Sequence, residues 1–253
     1  MKLRVLLLPF FWLFLMSCST AQQSGQTPTT QLPTNDLPPD NGGIRYDTIN
    51  QIPDLTQEDP PPFLQDTVGI HDSVFVNMAW FGDAFVFDLR YATDNNFVGQ
   101  TVYPCAVCKI RYGVAKALLK AAEKLDEGGG YKIKFFDCYR PVSVQRTFWE
   151  IYPDARYVAN PNTTGSVHNK GAAVDITLVD AYGEELNMGT DFDHFDEEAH
   201  QDYMQFPADI LANRTLLKET MESVGFRSIR TEWWHYNYQG GAGYGLANEP
   251  LCR

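Results

Sequence analysis

Residues 166–179 read Ser-Val-His-Asn-Lys-Gly-Ala-Ala-Val-Asp-Ile-Thr-Leu-Val. The run over 172–179 is apolar and rich in β-branched residues, which predicts a buried strand. His168 precedes Gly171, so it falls on a loop leading into the strand that carries Asp175. On one flat strand a separation of seven would send the two side chains to opposite faces. For them to meet, the chain must turn between them, and Gly171 permits that.

Outward from this strand, helical and extended patterns alternate. Residues 84–89 are β-like, and 131–136 alternate as a strand should. Residues 113–125 place Val114, Leu118, Leu119, Ala122 and Leu125 on one helical stripe, stopped by Gly128, Gly129 and Gly130. Residues 142–152 predict a second helix, with Val144, Phe148 and Ile151 on one face. A third runs over 207–224, opened by Pro207 and ended by Gly225. Residues 226–238 are β-like and aromatic. The alternation lacks βαβ regularity. The expected fold is α+β, a mainly antiparallel central sheet flanked by helices, occupying residues 63–253.

The N-terminal end has another character. Residues 1–17 carry Lys2 and Arg4 ahead of an apolar run of about a dozen residues, too short to span a bilayer core of ~30 Å. This pattern predicts a secretory signal. Leu15-Met16-Ser17-Cys18 resembles a bacterial lipobox, which implies cleavage before Cys18 and lipidation of its thiol. Ser19 after it, rather than aspartate, is similar to signals for the outer membrane of Gram-negative bacteria. Residues 18–62, rich in Gln, Thr, Pro, Asp and Ser, predict a disordered tether. The expected protein is exported and held to a membrane by a lipid anchor facing the periplasm.

Charge narrows the partners. The formal charge is −12, and removal of Lys2 and Arg4 with the leader makes the remainder more acidic still. Such a surface repels nucleic-acid phosphate, so a nucleic-acid binder is excluded as an expectation. Four cysteines besides Cys18 remain: Cys105, Cys108, Cys138 and Cys252. Cys105 and Cys108 form a C-x-x-C, which a redox pair or half a zinc knuckle would explain. An even number in an oxidising compartment also fits disulfides, whose connectivity the sequence leaves open.

Two of the five histidines lie in company. His168 is followed by Asp175, and His235 is preceded by Glu232. Catalytic zinc takes three N/O protein ligands and one open position, and lowers the pKa of its water to ~7. A neighbouring carboxylate can then accept the proton. Glu232 and His235, three apart, share a site only if a helical turn or bulge lies between them. The competing explanation is a buried His–Asp hydrogen bond beside an aromatic strand end.

Ser166-x-His168-x-x-Gly171-x-Ala173-x-Asp175 followed by Glu232-x-Trp234-His235 resembles the signature of the zinc D-Ala-D-Ala peptidases, which share a fold with the hedgehog signalling domain. Further segments are similar to dipeptidases of the VanX type. These are Asp88-Leu89-Arg90-Tyr91-Ala92-Thr93 with Asn96-Phe97-x-Gly99, Asp137-x-Tyr139-Arg140-Pro141, and Met188-Gly189-Thr190-x-Phe192-Asp193. The likeness covers roughly 80–238. It implies one Zn²⁺ per chain on His168, Asp175 and His235, and Glu232 as general base and then acid. It also implies Arg140 as oxyanion partner, Ser166 as a substrate contact, and Asp193 as acceptor of the substrate ammonium. Without it, Asp193 would read as a solvated member of the acidic run 191–198.

The implied activity is zinc-dependent hydrolysis of D-Ala-D-Ala to two D-Ala, in wall turnover or scavenging given the export signal. A carboxypeptidase or endopeptidase on peptidoglycan stems, or a non-catalytic zinc wall-binding module, would use many of the same residues. The acidic motif ending in Asp193 favours the dipeptidase, and Glu232 argues against a pure binder.

Overall fold

A computed structural model describes residues 70–252. The leader at 1–17, Cys18 and the tether at 18–62 lie outside the described residues.

Among the described residues, seven strands and three α-helices follow one another: β1 (Phe75–Asn77), β2 (Phe85–Phe87), β3 (Lys109–Arg111), α1 (Tyr112–Gly129), β4 (Lys132–Asp137), α2 (Val142–Ile151), β5 (Ala173–Val179), α3 (Ala208–Ser223), β6 (Phe226–Ser228) and β7 (His235–Tyr238). The main sheet has the order β2-β4-β5-β7-β6. Only β2 and β4 run parallel; the other neighbours are antiparallel. A short β1–β3 ladder, which the sequence did not announce, stands apart from it.

The apolar run Ala173–Val179 is the middle strand, buried at every position. A central strand has neighbours on both edges and packing on both faces, which is why it lacks the polar alternation of a half-exposed strand. The ladder sets Asp175 opposite Asp137 on β4 and opposite His235 on β7. A bulge between Phe135 and Asp137 shifts the β4 register at that row.

The helices follow their stripes with two corrections. α1 runs through Gly128 and Gly129, and Gly130 alone takes the left-handed conformation (φ 72°) that ends it. In α2 the inward face is Gln145 and Phe148, whereas Ile151 is exposed. The buried amide of Gln145 is satisfied by Arg140 and the carbonyl of Ala159, so its polarity is no obstacle to burial. A third correction concerns 226–238, which is not one extended stretch. It is a hairpin, β6 and β7 joined through 229–234.

Both members of the C-x-x-C pair elsewhere, which removes the redox-pair and zinc-knuckle readings. Cys105 bonds Cys252 and Cys108 bonds Cys138.

Candidate active site

The site is assembled at one end of the central strands. Val167–Lys170 form a 3-10 turn capped by Ser166, whose Oγ accepts the His168 N–H at 3.2 Å. Asn169 Oδ1 accepts the Ser166 N–H at 2.8 Å, closing a capping box. Gly171 ends the turn at φ 67° and donates to the His168 carbonyl. A side chain there would also run into the Phe75 ring. The expected turn between His168 and Asp175 is therefore made, and it brings their side chains together.

His168 Nε2, Asp175 Oδ1 and His235 Nδ1 converge. The separations are 3.2 Å from His168 to Asp175, 2.9 Å from His235 to Asp175 and 3.2 Å between the two ring nitrogens. The ligand atoms lie within 4.8 Å of one another, all three residues buried. Each ring's other nitrogen is committed. His168 Nδ1 donates to the Cys138 carbonyl at 2.6 Å, and His235 Nε2 donates to Asn237 Oδ1 at 3.0 Å. Those bonds aim the remaining nitrogens inward, the orientation that metal-binding imidazoles take. Burial would raise the Asp175 carboxyl, but the two imidazoles beside it hold it well below the usual carboxylate range. The group can hold a metal.

Glu232 enters from the turn before β7, its Oε2 3.9 Å from His235 Nδ1. This turn in the hairpin solves the spacing problem of residues three apart. Burial pushes the Glu232 carboxyl up to about 8, reinforced by the charges of Asp175 and Asp193 against the pull of His235.

Arg140 is buried over the rings of Tyr91 and Phe148. Its Nε and Nη2 donate to Asp137 Oδ2 at 3.1 and 2.7 Å, and Nη1 donates to Gln145 at 2.9 Å. Asp137 Oδ1 meanwhile accepts from Tyr103 Oη and the Cys138 N–H, both at 2.8 Å. Nη2 of Arg140 stands 3.8 Å from Asp175 Oδ2, which ties the cation to the His–Asp group.

Asp193 is not the solvated member of an acidic run. It sits at φ 61°, and its two oxygens accept from Tyr91 Oη at 3.0 Å and the Phe97 N–H at 3.2 Å. Burial raises its carboxyl to about 8, against the lowering effect of those hydrogen bonds.

Arg140, Ser166, His168, Asp175, Asp193, Glu232 and His235 all line one cavity of about 220 Å³. Cys18 lies outside the described residues. Sequence reasoning gave no role to Asp137, Tyr103 or Gln145. Asp137 had a signal, standing three before Arg140 in a quoted motif; a glutamine on the inner face of an amphipathic helix was the signal for Gln145.

Two imidazoles and a carboxylate with an adjacent buried glutamate, set on a mixed sheet, define a metallohydrolase site. The chain belongs to the D-Ala-D-Ala dipeptidase family of metallopeptidases, which it matches over residues 72–250. It is 35% identical over 166 residues to a D-alanyl-D-alanine dipeptidase of Escherichia coli strain K12, covering 65% of this chain and 85% of that one. An Enterococcus faecium D-alanyl-D-alanine dipeptidase is 34% identical over 170 residues, covering 59% and 83%. One from Streptomyces coelicolor is 32% identical over 169 residues, again covering 59% and 83%.

Proposed function

We propose that this cavity hydrolyses D-alanyl-D-alanine to two D-alanines with one Zn²⁺ held by His168, Asp175 and His235. The observation that carries the reading is the shared cavity: the His–Asp–His group, Glu232 and the half-buried carboxylate of Asp193 line about 220 Å³. That is smaller than the roughly 300–1,000 Å³ of drug-sized ligand sites, and suits a dipeptide.

The donor set fits zinc, being nitrogen and oxygen, three in number, with both outer ring nitrogens already fixed. When bound, such an ion supplies Lewis-acid polarisation of the scissile carbonyl and acidifies a water. Glu232 is the base that takes the water's proton as the C–O bond forms, and returns it to the nitrogen as the C–N bond breaks. A carboxylate beside the metal group is placed to make both transfers. Arg140 hydrogen-bonds the developing oxyanion with the N–H groups that Asp137 and Gln145 leave free. Ser166 contacts the substrate beside the metal, and Asp193 accepts its free ammonium. A peptide blocked at nitrogen offers Asp193 no ammonium and is rejected.

The reading extends to location. The protein is exported, anchored through a lipidated Cys18 and exposed to the periplasm, where it scavenges dipeptide from wall turnover. Two disulfides in the catalytic domain favour an oxidising compartment over the cytoplasm.

The test follows D-Ala release by the zinc-loaded protein from D-Ala-D-Ala and from its N-acetylated counterpart. Cleavage of the free dipeptide alone is expected. Equal cleavage of the blocked peptide would move the enzyme to stem peptides, and cleavage of neither would leave a zinc-binding module.

A further inference from the structure

We infer that Arg214 is a positioning residue for the ammonium subsite, setting substrate selectivity without touching substrate. This rests on the reading of Asp193 given above.

Asp193 lies in the long segment 186–207, which holds no strand and only the 3-10 turn Glu197–Ala199. It also takes a left-handed backbone that disfavours a side chain. Such a conformation persists only where its surroundings impose it. Arg214, on α3, grips the segment on both sides of it. Its Nε donates to the Met188 carbonyl at 2.6 Å, five residues before Asp193. Its Nη2 and Nη1 donate to the carbonyls of Glu198 at 2.8 Å and His200 at 3.1 Å, five and seven residues after. One planar guanidinium therefore closes the segment into a loop with Asp193 near its apex, a task for which arginine's fixed fork is suited and a lysine's single nitrogen is not.

The seat of the guanidinium is built to match. Arg214 is buried, with Phe206 under its plane at 4.7 Å and Trp233 at 5.9 Å. All three hydrogen bonds go to carbonyls, and burial pulls Arg214 down to about 10. Burying a cation is costly, and here the offset comes from three backbone carbonyls and the Phe206 ring. Gly189, at φ 87°, faces the same Phe206 ring, and a Cβ there would come within 2.7 Å of it.

The motif Met188-Gly189-Thr190-x-Phe192-Asp193 thus has a physical account. Met188 offers the carbonyl to Arg214, and Gly189 lets Phe206 approach. Thr190 Oγ1 accepts from Trp233 Nε1 at 2.8 Å. Phe192 meets Trp234 and Tyr91 edge-on. Asp193 faces the cavity. The loop also braces the general base, since Trp233, next to Glu232, donates its backbone N–H to the Ala199 carbonyl at 3.0 Å.

The experiment compares Arg214→Lys, Phe206→Leu and Asp193→Asn with the parent protein, all zinc-loaded. It reads kcat and KM for D-Ala-D-Ala, the ratio of free to N-acetylated dipeptide cleavage, and bound zinc. Phe206→Leu removes the aromatic seat and leaves the charge, so it decides the matter if the lysine variant does not fold. Arg214→Lys is expected to raise KM about tenfold with kcat within about threefold, and Phe206→Leu to do the same more mildly. Both should narrow the free-to-blocked ratio at unchanged zinc content. A fall in kcat with KM and selectivity unchanged, or parent kinetics in the folded fraction, would overturn the inference. Asp193→Asn separates the two ideas. If it raises KM while neither other variant does, the ammonium reading stands and the Arg214 inference falls. If Asp193→Asn leaves KM and selectivity unchanged, the ammonium reading itself falls and takes the inference with it.

Discussion

His168 donates its Nδ1 proton to the backbone carbonyl of Cys138 at 2.6 Å, and the sulfur of Cys138 is tied to Cys108. The same residue's N–H donates to Asp137, so one disulfide-held residue orients both the His168 ring and the carboxylate that grips Arg140. Closing a loop of 30 residues is worth roughly 3–4 kcal/mol in the chain-entropy account. The double variant Cys108→Ala/Cys138→Ala is therefore expected to melt lower. It should also bind zinc more weakly, by about tenfold, the loss typical of disturbed outer partners of a metal ligand. Competition against a chromophoric chelator measures this. Unchanged zinc affinity in a folded double variant would show that the disulfide only stabilises the fold.

Asp137 and Arg140 form a buried pair, and Asp137 has no exposure at all. Removing one member of such a pair leaves the other charge buried without its partner, which costs about 3–5 kcal/mol. Asp137→Asn keeps the shape and removes the charge. We expect a loss of that order in urea unfolding, and a fall in kcat/KM of at least about a hundredfold as Arg140 loses its aim. A variant that unfolds like the parent would contradict the first expectation.

The physics that made part of this legible in the sequence is local. Ala173–Val179 showed as a strand because a doubly buried strand is apolar throughout, and the ends of α3 showed because Pro207 and Gly225 mark them. Gly171 permitted His168 and Asp175 to meet, but it was the resemblance to the zinc D-Ala-D-Ala peptidases that paired them. Across the chain the signal fails. The Cys105–Cys252 and Cys108–Cys138 pairing, the partnership of Gln145 with Arg140, and the three carbonyls under Arg214 join residues whose separation in sequence carries no period. Asp193 shows the same limit, since it stands in a run rich in carboxylates, 191–198, while its partners, Tyr91 and Phe97, lie about a hundred residues away.

Asp193 also predicts a pH dependence in the metal-free protein. Burial raises its carboxyl to about 8 from an ordinary value of 3.8. The folded state then holds a proton that the unfolded chain releases, so this group's contribution to stability is full below 3.8 and is lost as pH rises through about 8. Asparagine mimics the protonated carboxyl at every pH. Asp193→Asn should therefore stabilise the apoprotein at pH 9, by on the order of a few kcal/mol, and the gain should shrink steadily toward pH 5. Paired melting curves across that range decide it. A constant difference between the two proteins would mean that Asp193 titrates as an ordinary carboxylate.

Glu232 allows a sharper separation of binding from chemistry. It lies 3.9 Å from His235 Nδ1, yet it is not one of the three converging ligand groups. Glutamine keeps the size and hydrogen-bonding reach of the side chain but cannot take a proton. General acid–base catalysis contributes about 10²–10⁴-fold, so Glu232→Gln should lower kcat by that factor. Zinc stoichiometry should stay at one per chain, because His168, Asp175 and His235 are untouched. The dissociation constant for D-Ala-D-Ala, measured by calorimetry on the slow variant, should remain near the parent KM, because Asp193 and Ser166 are also untouched. Loss of zinc together with activity would place Glu232 among the ligands instead. Retention of most of the activity would remove it from the proton path and require another base among the residues lining the cavity.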